Sequence, residues 1–184
     1  LLLGGGQLWM LPSIGNGQFA DQPFALIERP LVPLIAPMAT GDLDGDGDLD
    51  IVVAQGESAL GTRTLRVLLR GDDGRYGLTE ERIGSGVSLA GRVDNGPISI
   101  SIGQFIVDDL PHIAVTYQHT VLFTNIPGPL VIWNRPDAEA TFSPTVVVES
   151  ASGSLLHFRH RAGHDELAAV ITRRVMQNGQ PAGV

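Results

Sequence analysis

Gly41-Asp42-Leu43-Asp44-Gly45-Asp46-Gly47-Asp48-Leu49-Asp50-Ile51-Val52-Val53-Ala54 is the stretch on which the reading of this chain turns. Aspartate occupies positions 1, 3, 5, 7 and 9 of the span Asp42 to Asp50, and Gly47 occupies position 6. Calcium takes six to eight oxygen ligands at about 2.3–2.6 Å, and a short loop of alternating acidic residues with glycine at its sharpest turn can supply them. Asp42, Asp44 and Asp46 are therefore expected as side-chain ligands and Asp50 as the closing carboxylate. Asp48 is expected to offer its backbone carbonyl, leaving its side chain free.

A helix-loop-helix calcium site closes with an acidic residue at position 12. Here position 12 is Val53, inside Ile51-Val52-Val53-Ala54, which has the composition of a buried strand. The loop is thus expected to run from strand to strand. Without a cation, four or five carboxylates would repel one another at close range, so folding of this segment should be coupled to calcium. Magnesium suits the loop less, because it prefers fewer protein ligands in a stiffer octahedron. The competing reading is a solvated acidic turn, since aspartate and glycine are both turn formers.

Outward from the loop, similar features recur. Gly103 to Thr116 reads G-Q-F-I-V-D-D-L-P-H-I-A-V-T, and an offset of 62 matches Gly41 to Gly103, Leu43 to Phe105, Asp46 to Asp108, Ile51 to Ile113 and Val53 to Val115. An offset of 57 matches Leu8, Leu11, Gly17 and Phe19 to Leu65, Leu68, Gly74 and Tyr76, each set reading as a strand, a tight turn and an aromatic that opens the next strand. Two similar offsets from different features point to one diverged repeat of about 60 residues. A third copy is weaker: Val121 to Asn125 with Gly128, then Leu155 to Phe158 and Asp165 to Ile171, the alternative being that residues from about 130 onward hold unrelated short strands. The alternative for Asp165 to Met176 is a helix, from its Glu, Leu, Ala, Arg and Met content. One repeat region over 1–176 is expected, in units near 1–60, 61–120 and 121–176, with 177–184 as a flexible tail.

Composition agrees with short strands and tight turns. The 184 residues are 43% hydrophobic and 17% charged, which argues for a packed core, while 23 glycines and 12 prolines discourage long helices. An all-β chain is expected. The formal charge of −8 leaves no broad cationic face, so nucleic acid is not an expected partner. With no cysteine there can be no disulfide, thiolate zinc site or cysteine nucleophile. Leu1 to Gly6 is too short to span a membrane and lacks the basic start of a signal peptide, and the chain is read as mature, trimmed or cut from something longer.

Other chemistry is weaker. Gly15-Asn16-Gly17-Gln18-Phe19-Ala20 satisfies a loose dinucleotide pattern, but Pro23 and Pro30 follow it and a hairpin turn is the better reading. His157, His160 and His164 would share a face only on a helix, whereas Leu155 to Phe158 reads as a strand. Asp72, Asp73, Asp94, Asp108 and Asp109 are explained as turn residues, so catalysis is not the favoured reading. Trp9, Tyr76, Tyr117 and Trp133 would stack on sugars if exposed, with burial the expected fate.

Ala39 to Ala54 resembles the calcium-loop signature of FG-GAP repeats, also called VCBS repeats, of the integrin alpha-subunit propeller type. The resemblance extends over residues 1 to about 125 and is strongest across Asp42 to Asp50. It implies a β-propeller of four-stranded antiparallel blades with calcium in blade loops, Asp42, Asp44, Asp46 and Asp50 as side-chain ligands and Asp48 as carbonyl ligand. The second copy departs from the pattern, with Gln104, Ile106, Asp108 and His112 at positions 1, 3, 5 and 9, and no calcium is expected there. About three blades form only an arc, since closed propellers have about four to eight, so either self-association or flanking blades cover the open sides, or the fold is of another kind. The expected role is a calcium-stabilised, non-catalytic binding or adhesion module outside the cytoplasm, extracellular, periplasmic or at the cell surface, with a protein or glycan ligand. The alternatives are a carbohydrate-binding lectin-type propeller and the non-catalytic part of a secreted polysaccharide-degrading enzyme.

Overall fold

The computed structural model describes residues 2–4, 7–26, 34–56, 63–83, 96–106, 110–121, 124–137, 141–151, 155–159, 165–169, 176–177 and 180–181. Among them every regular element is a β-strand, as the glycine and proline content and the short apolar runs predict. The N-terminal strands are β1 (Leu2–Gly4), β2 (Gln7–Met10), β3 (Ser13–Gly15), β4 (Gln18–Phe19) and β5 (Phe24–Ala25). There follow β6 (Leu34–Gly41), β7 (Asp50–Gly56), β8 (Arg63–Arg70) and β9 (Tyr76–Ile83), then β10 (Gly96–Gly103), β11 (His112–Val121), β12 (Thr124–Asn134) and β13 (Ser143–Ala151). The C-terminal strands are β14 (Leu155–Arg159), β15 (Asp165–Ala169), β16 (Met176–Gln177) and β17 (Gln180–Pro181).

Two four-stranded antiparallel sheets carry the architecture, in the orders β6-β7-β8-β9 and β10-β11-β12-β13. Both are simple meanders, each strand pairing with its neighbour in sequence. A three-stranded sheet β1-β2-β5 precedes them and the β14-β15 pair follows. The divisions drawn near residues 60 and 120 fall inside the two large sheets, because an offset between similar residues gives a spacing and not the point at which a sheet begins. The register repeats closely: Thr40↔Ile51 and Gly41↔Asp50 in the first sheet correspond to Ile102↔Ile113 and Gly103↔His112 in the second, 62 residues on.

Successive side chains of a strand point to opposite faces, and the central strands use both. Ile51, Val53 and Leu68 pack with Leu8 and Leu26 of the N-terminal segment. Val52, Ala54, Leu65 and Val67, from the opposite face, pack against Ile100, Ile102, Ile113, Val115, Tyr117, Val131 and Trp133 of the second sheet. The second sheet then turns Ala114, Leu130 and Ile132 the other way, with Phe105 and Val148. Each fully buried Ile, Leu or Val contributes about 1.5–3 kcal/mol, so among the described residues the layer between the large sheets is the largest apolar store.

The stacking has a direction. Ile51 and Val53 face the element that precedes their sheet in sequence, and Ile113 and Val115, 62 residues later, also face the preceding sheet. The two large sheets therefore meet head to tail, through non-equivalent faces. They meet most extensively through β6 and β10. A β-carbon at Gly41 would lie 2.5 Å from Ile102 Cγ2, so only glycine admits this approach.

At the C-terminal end, Asp165–Ala169 pairs antiparallel with Leu155–Arg159 and is a strand, not the start of a helix. The tail contributes the short pair β16-β17. Among the described residues no helix is long and apolar enough to cross a membrane.

Candidate metal centre

The residues between β6 and β7 form the acidic loop, which links the first two strands of the first large sheet. Gly45 and Gly47 take φ of +83° and +92°, left-handed values that reverse the chain twice within three residues. Carboxylates organise the intervening amides. Asp42 accepts from the Gly45 and Gly47 N–H groups at 2.8 and 3.0 Å, Asp44 Oδ1 from Asp46 N at 3.3 Å, and Asp46 Oδ1 from Asp48 N at 2.7 Å. These are the local side-chain to backbone bonds that aspartate makes in turns.

Asp50 is the buried anchor, with none of its surface exposed. Its Oδ2 accepts from Leu43 N at 2.7 Å and its Oδ1 from Arg70 N at 2.9 Å, which closes the loop at one end and ties it to β8 at the other. Burial raises the Asp50 pKa above its ordinary value of 3.8; the Arg70 and Leu43 amides oppose that rise, and the charges of Asp44 and Asp46 add to it. The net direction is upward, set first by burial of the charged form.

One carboxylate oxygen from each of Asp42, Asp44 and Asp50 lies within 4.8 Å of the others. Two oxygens bound to one calcium at 2.3–2.6 Å are separated by at most about 5 Å, so these three fit a single hard cation, and each retains lone pairs beyond its amide bonds. Of the five aspartates named from the sequence, the structure gathers these three. Asp46 is exposed and lies outside the trio. The Asp48 side chain, expected to be free, is instead paired with Arg70 Nη1 at 2.7 Å. That ion pair is more than a third exposed on both sides and contributes little by itself.

Three supporting residues were not assigned to the loop from the sequence. Arg70 donates its backbone N–H to Asp50 and its guanidinium to Asp48, and Tyr76 donates its hydroxyl to Leu49 O at 2.9 Å. Arg135, 92 residues from the loop, donates from Nη2 to Leu43 O at 2.8 Å. Spacing arguments reach only local neighbours, and these contacts are made by strand pairing or by packing between sheets.

The other candidates are dispersed. In the second sheet, His112 occupies the ladder position of Asp50 and is buried, Gln104 is half-buried and Ile106 exposed, and Asp108 lies outside the described residues. His157 lies in strand β14, while His160 and His164 lie outside the described residues. Gly15, Asn16 and Gly17 all have positive φ and join β3 to β4 in a hairpin, not a phosphate cradle. Asp72 and Asp73 sit in an exposed turn closed by Gly74 N to Gly71 O at 2.7 Å, and Asp94 and Asp109 lie outside the described residues. Tyr117 and Trp133 are core residues, with Trp133 Nε1 donating to Tyr117 Oη at 3.1 Å, and Trp9 and Tyr76 are half-buried.

No protein-family model, no curated protein and no solved structure matches this chain.

Proposed function

We propose that this chain is blade material of a calcium-stabilised β-propeller, acting outside the cytoplasm as a non-catalytic module for binding or adhesion. The observation that carries the reading is the place of the aspartate loop. It joins the first two strands of a four-stranded meander and brings Asp42, Asp44 and Asp50 oxygens within 4.8 Å around a buried anchor. Asp42, Asp44 and Asp50 would hold the ion, which would supply positive charge to neutralise them and so favour the folded loop. The ion serves architecture here, not bond making.

Head-to-tail stacking supports the propeller half of the proposal. A β-sandwich can close by pairing like faces, whereas contacts between unlike faces repeat until they form a ring or an open array. The second sheet turns a further apolar face, Ala114, Leu130 and Ile132, away from the first, as a member of such a series would. Ring closure then requires further blades, from other copies of the chain or from flanking sequence.

Thermal unfolding and light scattering, each with millimolar calcium and with chelator, test the reading together. Calcium at about 100 times its Kd should stabilise the fold by about 2.7 kcal/mol, with the melting temperature rising accordingly. A melting curve indifferent to chelator would overturn the calcium site. A monomer that binds calcium would put closure in flanking sequence and not in self-assembly.

A further inference from the structure

The acidic loop lies at the seam between the two large sheets. Leu43, between the first two ligand candidates, is fully buried and belongs to the same inter-sheet core as Ile113, Val131 and Phe142. Ile102 of β10 packs on Gly41 at the entrance to the loop, and a β-carbon at Gly45 would lie 3.9 Å from Leu110 Cδ2. The second sheet thus lies along the loop that is proposed to bind the ion in the first.

Arg135 makes the polar connection. It follows β12 of the second sheet and is only 4% exposed. Its guanidinium carbon stands 4.8 Å from the centre of the Phe142 ring, a cation–π arrangement that orients the group. From there Nη2 donates to Leu43 O at 2.8 Å. The N–H of the same leucine donates to Asp50 Oδ2 at 2.7 Å. Leu43 is therefore held on one side by a candidate cation ligand and on the other by a cationic side chain of the neighbouring sheet.

We propose that Arg135 is a positioning residue that couples cation binding in the Asp42–Asp50 loop to docking of the second sheet. The inference rests on the calcium reading of that loop. Drawing Asp42, Asp44 and Asp50 onto one ion fixes the backbone around Leu43, and a fixed Leu43 presents its carbonyl to Arg135 and its side chain to the core. Linkage makes the effect reciprocal: a docked second sheet tightens cation binding by the same factor by which the cation tightens docking. Arg135 acts on the loop through the Leu43 carbonyl.

The experiment is calorimetric calcium titration of the intact chain and of Arg135→Gln and Arg135→Lys, with amide hydrogen exchange followed with and without calcium. In the wild-type chain, calcium should slow exchange in β7 and also in β11 and β12 of the second sheet. Arg135→Gln should raise the calcium Kd by about fivefold or more and confine the protection to the first sheet, with Arg135→Lys intermediate. Protection of the second sheet by calcium that persists in Arg135→Gln, together with a Kd within twofold of wild type, would overturn the coupling and leave the calcium site standing. Wild-type calcium binding that protects only the first sheet would also overturn it, whether or not the variants fold. A wild-type chain that binds no calcium would remove the site and the coupling together.

Discussion

The carboxylate of Asp50 accepts a 2.7 Å hydrogen bond from the backbone of Leu43, so the last aspartate of the loop holds the residue that follows the first. Its second oxygen is bonded to the Arg70 N–H at 2.9 Å. A single buried side chain thus closes the loop, anchors it to a third strand segment and remains available to a cation. The first prediction concerns this dual role. Asp50→Ala leaves the Leu43 and Arg70 amides without their acceptor, at about 1–3 kcal/mol each, and should abolish the calcium-dependent rise in melting temperature. Chemical denaturation of both forms, with calcium and with chelator, measures the two effects separately.

Acidity should act through the same group. Burial places the folded pKa of Asp50 above the ordinary 3.8, so without a cation the folded chain binds the proton more tightly than the unfolded chain. The Asp50 contribution to cation-free stability is therefore most favourable below 3.8 and is lost as pH rises through the folded pKa. Calcium requires the charged form, so protons compete with it, and calcium affinity should fall as pH drops toward the raised pKa, before an ordinary aspartate would respond. Titrations at a series of pH values, repeated on Asp50→Asn, test this: the upper part of the pH dependence should vanish in the variant.

Close approach of the two large sheets makes Gly41 sensitive to size. Gly41→Ala would put a methyl 2.5 Å from Ile102 Cγ2 and 2.9 Å from its Cβ. Overpacking of this kind costs about 1–3 kcal/mol. Ile102→Ala in the same chain should recover part of the loss, so the double variant should be more stable than the sum of the two single effects predicts. Additive losses would mean that β6 and β10 do not meet at this point.

Trp133 supplies a spectroscopic handle on the inter-sheet core. Its indole N–H donates to Tyr117 Oη at 3.1 Å, and both residues are buried. Tyr117→Phe keeps the ring and removes the acceptor, which should destabilise the fold by about 1–3 kcal/mol and shift the Trp133 emission. Urea unfolding followed by fluorescence and by circular dichroism should give coincident transitions if the two sheets unfold as one unit.

Much of the strand content was legible in the residues. Ile51-Val52-Val53-Ala54 announces a strand buried on both faces, and the structure buries all four. The 62-residue offset from Gly41 to Gly103 carries through to ladder register, where Asp50 and His112 take matching positions opposite those glycines. Sheet limits were not legible, because the same apolar alternation continues through neighbouring strands and nothing local marks which strand opens a sheet. The helix considered for Asp165 to Met176 lost to pairing in its first five residues: Leu167 and Ala169 find partners in His157 and Leu155, and cross-strand pairing overrides a weak helical propensity.

The candidate site divides in the same way. The odd-numbered spacing of Asp42, Asp44, Asp46, Asp48 and Asp50 identifies an acidic loop, since ligand alternation and left-handed glycines are properties of a short stretch of chain. Which of those carboxylates converge is a tertiary matter. Asp48 is drawn off by Arg70, Asp46 lies outside the trio, and Asp50 is buried because β8 supplies an amide to it. Arg135 is the extreme case, since a side chain 92 residues away reaches Leu43 only because two sheets stack face to face. By itself the sequence determined local conformation and the chemistry on offer, which depend on neighbours within a few residues. The tertiary structure decided which groups meet, because burial, register and the approach of β6 to β10 are set by the packing of apolar faces and not by spacing along the chain.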